Sequence, residues 1–257
     1  MAGWNCIAVI ALNTFRENLR DKILYNLLFF AMLLIGFSVL LGTLTIGEQA
    51  KIVTDVGLAA INLVGVLIAI FVGVGLVNKE IERRTVYTIM ARPISRVQFV
   101  LGKYLGLVLT LAVNMAIMVT VYLVTLVMDR VPLHASLAQA VELIFVELLL
   151  VTAVALLFST FSSTTLSAIL TLAVYVVGHL TPDLKGIAEK SKSEVIQVAT
   201  TGLYYLCPNL EALNVKGQAA AGHAVSLGYQ ALATLYGLLY AGTALAIACV
   251  IFQKRDF

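Results

Sequence analysis

Residues Asn78 to Gly106 read NKEIERRTVYTIMARPISRVQFVLGKYLG, and the placement of this stretch decides the fold. It lies between two long apolar runs and gathers charge that neither run contains: Lys79, Glu80, Glu82, Arg83, Arg84, Arg92, Arg96 and Lys103. A Lys or Arg at mid-bilayer costs roughly 2.5–3.5 kcal/mol on insertion scales, so the stretch belongs in water, on the membrane face that collects positive charge. There a cytosolic partner would grip a membrane-embedded chain.

Outward from this loop the chain is apolar. Its 257 residues are 61% hydrophobic and 12% charged, against about 45–50% and about 25% in soluble domains. The fold class is therefore an all-α integral membrane protein. A span needs about 20 apolar residues, and six stretches approach that length: Ile23 to Ile46, Val53 to Val77, Leu101 to Met128, Leu137 to Phe161, Leu166 to Leu180, and Leu227 to Phe252. The fifth is the shortest. None alternates apolar with polar residues as a membrane barrel requires. There is no internal repeat and no linker, so residues 1–257 form one transmembrane domain.

A net charge of +3 does not point to nucleic acid, because the basic residues cluster beside spans as orientation signals do. Cys6, Cys207 and Cys249 are odd in number and far apart, which predicts no disulfide framework. No removable signal peptide is expected. With the N-terminus inside, the inner face holds Arg16, Arg20, Lys22, six basic residues of the loop, Lys254 and Arg255, and both termini are cytoplasmic.

The N-terminal stretch Trp4 to Arg20 carries Trp4, Ile7, Ala8, Ala11, Phe15 and Leu19 at helical spacing, with Asn13, Arg16, Glu17 and Arg20 on other faces. That pattern predicts a helix along the membrane surface; the alternative is an extension of the first span. The long connection Thr181 to Ser226 is too short for its own core and predicts short helices on or dipping into the outer leaflet. Within the loop, Lys79 to Met90 favour a helix that Pro93 ends, and Ser95 would cap a helix beginning at Val97. The result is a bent lever joining two spans.

The run Glu82, Arg83, Arg84, Thr85, then Ala91 to Arg96, then Leu101, Gly102, Lys103 resembles ABC-2 type permeases, the transmembrane subunits of ABC exporters. In that family an acidic residue and Gly-Thr precede a P-[VIL]-S-R turn and an L-L-G-K step. The likeness extends to Pro208 and Asn209 and to the tail Phe252 to Phe257. Arg84 departs from it, standing where the family usually has glycine. The resemblance implies a permease driven by a separate ABC ATPase (nucleotide-binding) subunit and paired with a second permease copy, a homodimer, in the bacterial inner membrane. A cytoplasmic coupling helix then joins spans 2 and 3. Glu80, Glu82, Arg83, Arg84, Thr85, Arg92, Pro93, Ser95 and Arg96 would form the transmission surface. No G-x-x-x-x-G-K-[ST] run exists in the chain, so no nucleotide phosphate is cradled here and this subunit is not expected to be an enzyme. No cofactor is expected in the chain itself; ATP and Mg would sit in the partner. A separate periplasmic protein is a further expected partner.

Polar residues within spans point to a pathway. Asn62 and Asn114 face the bundle or a subunit interface, as packing glue or substrate contacts. Glu142 and Glu147 lie five residues apart, which turns them onto different faces, and Glu147 sits about 7.5 Å deeper. His179, near the outer end of the fifth span, reads first as an interfacial side chain that snorkels and makes a structural hydrogen bond; pairing with one of these carboxylates, or binding a metal with them, is the sharper alternative, for which no diagnostic spacing is present. Gly65, Gly73 and Gly75 with Ala69 make a stripe suited to close helix approach. A six-span channel or secondary carrier independent of ATP is the alternative reading; it predicts a charged or broken helix at mid-bilayer in matching halves. An intramembrane enzyme would need G-x-S-x-G, H-E-x-x-H or an aspartate pair within a span, and none is present.

Overall fold

The computed structural model describes residues 2–45, 47–82, 95–190 and 194–254. Among them the regular elements are all helical: α1 (Ala2–Asn18), α2 (Lys22–Thr43), α3 (Gln49–Glu82), α4 (Arg96–Met128), α5 (Ala135–Ser159), α6 (Thr164–His179), α7 (Thr181–Lys190), α8 (Glu194–Leu206), α9 (Lys216–Ala220) and α10 (Leu227–Lys254), with a 3-10 turn at Glu211–Leu213. Five of these, α2, α3, α4, α5 and α10, are long and apolar enough to cross a membrane. The chain is an all-α, multi-pass membrane protein.

Local chemistry sets the helix starts. Asp21 caps α2 by accepting the Ile23 amide at 3.0 Å, which ends α1 as a separate helix rather than an extension of the first span. Ser95 and Gln98 form a capping box that starts α4 at Arg96, one residue before the expected Val97. α3 runs unbroken past the expected end at Val77 to Glu82, and its 34 residues rise about 51 Å.

α3 and α5 form the centre. Their apolar windows are 72% and 67% buried, against 22% for α2. They lie side by side because Gly65 and Gly73 offer no side chain: a Cβ on Gly65 would meet Leu148 at 2.7 Å, and one on Gly73 would meet Ala155 at 3.3 Å. The glycine stripe is thus a packing surface. α2 and α4 flank α3, α10 flanks α5, and α6 touches both central helices.

α1 is seated lengthwise against the start of α4 and runs in the same direction. Ile10 packs where a Cβ on Gly102 would stand (2.7 Å), Thr14 and the Ala11 carbonyl close over Gly106 (2.6 and 2.7 Å), and Asn18 donates to Thr110 Oγ1 at 3.0 Å. Gly102, Gly106 and Thr110 recur every four residues, the spacing that lets two helix backbones approach. Val9 and Leu12 on the other side of α1 remain exposed.

The fifth expected span is α6, Thr164–His179, whose 16 residues reach about 24 Å and fall short of about 30 Å of hydrocarbon. It begins beside the end of α5 and stops about halfway along it, where His179 meets Glu147. Leu180 breaks the helix before α7; Pro182, which has no N–H to give, is tolerated in that new first turn.

Candidate functional site

The buried polar cluster lies at half depth. Glu147 is the thirteenth residue of α5, about 18 Å from its start, and is fully buried. From α3, Asn62 Nδ2 donates to Glu147 Oε2 at 2.9 Å, and Asn62 Oδ1 accepts from the Tyr175 hydroxyl at 3.3 Å. From the end of α6, His179 Nε2 stands 3.4 Å from Glu147 Oε1, and its Nδ1 lies 3.2 Å from the Tyr175 carbonyl, one helical turn back. The Tyr175 and His179 rings are 4.7 Å apart. Two of the expected polar residues, Asn62 and Glu147, are therefore brought together, and His179 chooses Glu147 over Glu142.

The connection from Thr181 to Ser226 closes over this cluster from the opposite end. The Leu210 amide donates to the Gly178 carbonyl at 3.0 Å, and the Asn209 amide donates to the Tyr236 hydroxyl at 2.8 Å. Leu210, Leu213, Val215 and Ala219 are buried in the bundle, so the segment dips rather than resting on the surface. Gly178 makes room for it: a Cβ there would stand 2.8 Å from the Pro208 carbonyl. Lys216, at the start of α9, lines a chamber of about 410 Å³ together with Asn62, Tyr175, Leu34, Val56 and Leu63. Lys216 and Glu211 both lie within electrostatic reach of Glu147.

Glu142 faces away, as the five-residue spacing requires. Thr234 of α10 donates to its Oε1 at 3.2 Å, and Gln230 donates to Oε2. It edges a mostly apolar groove of about 580 Å³ between α4 and α5 that contains Met115, Leu123 and Phe145. Asn114 is buried and donates to the Thr110 carbonyl of its own helix at 2.7 Å, on the residue whose hydroxyl accepts from Asn18; it is apart from the Glu147 cluster's hydrogen bonds. No cluster of three or more metal-ligating side chains occurs among the described residues.

At the basic end, Arg96 Nη1 donates to the carbonyls of Phe252 (3.2 Å) and Gln253 (2.9 Å) at the C-terminus of α10. A cation suits that end of the helix dipole. Phe99 stacks on Phe252 with centroids 5.7 Å apart, and Lys103, buried on α4, reaches Glu17 of α1 at 3.7 Å while passing over the Phe99 ring. Of the expected transmission residues, Ser95 and Arg96 are placed here. Arg83, Arg84, Thr85, Arg92 and Pro93, and the side chains of Glu80 and Glu82, lie outside the described residues.

Reasoning from sequence missed Tyr175 and Lys216 in the cluster and Gly102 with Gly106 in the α1 seat. The glycines carried a legible G-x-x-x-G signal. Tyr175 and Lys216 carried none, since neither is near Glu147 in sequence. No curated protein matches the chain. The model of a protein family, described as ABC-2 family transporter protein, matches residues 8–257. That match covers nearly the whole chain, including the helices that build both ends of the bundle, so the chain belongs to the ABC-2 transporter family and is a membrane permease of an ABC transporter.

Proposed function

We propose that this permease is the membrane half of an exporter driven by ATP hydrolysis in a separate nucleotide-binding subunit, which holds the ATP and Mg. The chain itself catalyses no reaction. The five long helices, with the shorter α6 and the connection after it completing a sixth passage, cross the bacterial cytoplasmic membrane with both termini in the cytoplasm, two copies pair side by side, and a periplasmic protein receives or presents the substrate.

One observation supports this reading above the others: three helices are tied together where the basic loop enters α4. Arg96 and Phe99 bind α4 to the end of α10, and Lys103 binds it to α1. A push delivered to residues 83–94 would arrive at a joint that moves as one body. Such a joint is what a mechanical input requires, because packed elements shift between discrete arrangements rather than deforming smoothly. The chain has no P-loop of its own, so the input would come from a partner.

The test is purification with candidate ATPases. Association should depend on nucleotide, and reversing Arg83 and Arg84 to glutamate should weaken it by about tenfold or more while insertion stays intact. Wild-type association and coupled ATPase activity in that variant would remove the reading. A carrier independent of ATP has one observation in its favour, the half-depth carboxylate beside an interrupted helix, a feature of secondary carriers. Transport by the chain alone in proteoliposomes, driven by an ion gradient, would establish it instead.

A further inference from the structure

The contact between Glu147 and His179 is incomplete as it stands. Glu147 Oε1 and His179 Nε2 face each other at 3.4 Å, both are buried, and neither has a hydrogen-bond partner among the described residues. The tautomer explains why. The Tyr175 carbonyl beside His179 Nδ1 only accepts, so a neutral imidazole places its single proton on Nδ1 and leaves Nε2 bare. The Asn62 amide is likewise fixed, donating to Glu147 Oε2 and accepting from Tyr175. Two lone pairs are left pointing at each other in a site where an unmade hydrogen bond costs about 1–3 kcal/mol.

We propose that the Glu147–His179 pair is a binding site for one proton, whose occupancy fastens the interrupted end of α6 to α5. The proton comes from water on the side of the long connection, sits on His179 Nε2 and is shared with Glu147 Oε1; no other bond changes. Among the described residues, the following charged and polar groups face the pair. Glu147 on α5 and Glu211 on the 3-10 turn are acidic, Lys216 on α9 is basic, and Asn62 on α3 and Tyr175 on α6 are neutral. Two carboxylates against one ammonium leave one negative charge, which a single proton cancels. The C-terminal end of α6, where His179 stands, also favours positive charge. Glu142 is turned away and bonded to α10. The proposal is independent of the coupling reading, since neither Glu147 nor His179 belongs to the basic joint.

The experiment uses the full chain in nanodiscs with ¹⁵N-labelled histidine, the His179 signal being identified by its loss in His179→Gln. At about pH 7, near where a histidine changes charge, the His179 imidazole should carry both protons in the wild type and only one in Glu147→Gln. Hydrogen exchange at the Leu210 amide, which is bonded to α6, should be at least about tenfold faster in Glu147→Gln. A singly protonated His179 in the wild type throughout about pH 5–8 would overturn the proposal, as would identical imidazole states in wild type and Glu147→Gln. Should Glu147→Gln not fold, titration of the wild type decides: an imidazole that never gains its second proton sinks the site, and one that gains it together with slower exchange at Leu210 supports it.

Discussion

The half-depth cluster and the basic joint both bury charge between helices, yet they satisfy it differently. At the joint, Arg96 is spread over two backbone carbonyls and Lys103 lies opposite Glu17, so these cations meet acceptors. At half depth, Glu147 has one good donor in Asn62, and its Oε1 faces His179 Nε2 at 3.4 Å with no hydrogen bond made. Saturated contacts hold helices in one arrangement, whereas a contact that lacks a proton is able to change state. The comparison assigns stiffness to the basic end and responsiveness to the middle of the bundle.

The largest effect should come from taking away the donor at half depth. Asn62→Leu leaves Glu147 Oε2 unpaired and should cost about 2–3 kcal/mol of stability, read by unfolding in detergent. The double variant Asn62→Leu with Glu147→Leu should recover most of that loss, since apolar groups replacing a buried polar pair are often neutral. A double variant no more stable than the single one would mean that the cluster's polarity is structural in a way the comparison misses.

Next comes the α1 seat. Gly106→Ala drives a methyl group to within 2.7 Å of the Ala11 carbonyl, a backbone atom that cannot swing aside. It should cost about 1–3 kcal/mol, while Gly36→Ala, with nothing within 4 Å, should be neutral or slightly stabilising. Equal effects at the two glycines would refute close packing of α1 on α4.

Arg96→Lys keeps the charge at the end of α10 but loses the rigid planar Nη1 group that donates to both carbonyls, for about 1 kcal/mol and looser protection of the α10 end in hydrogen exchange. The smallest effect belongs to Lys51→Ala, which removes an exposed ion pair with Glu48 at 3.6 Å and should cost about 0.3 kcal/mol. A joint as insensitive to Arg96→Lys as the surface is to Lys51→Ala would erase the contrast in stiffness.

Legibility followed the range of the interactions. The long apolar helices, the cap at Ser95 and the opposed faces of Glu142 and Glu147 rest on hydropathy and helical period, which act within a few residues of the chain. The N-terminal helix was legible as a separate element, but its seat on α4 was not, because Gly102 and Gly106 act only once a second backbone arrives. Glu147 was legible as a carboxylate within the fourth span, but that the end of α6 meets it halfway along α5 was not, because that contact joins two helices. The fifth span read as one short apolar run, and where it stops is decided by the Leu210 segment docking on Gly178.

Composition and charge density by themselves determined that this is a multi-pass helical membrane protein with a basic stretch between two of its long helices, because the transfer cost of each residue into hydrocarbon depends on that residue alone. Only the tertiary structure decided that Asn62, Glu147, Tyr175, His179 and Lys216 share one site. They come from four different elements, and their meeting depends on helix contacts between residues up to 154 positions apart in sequence.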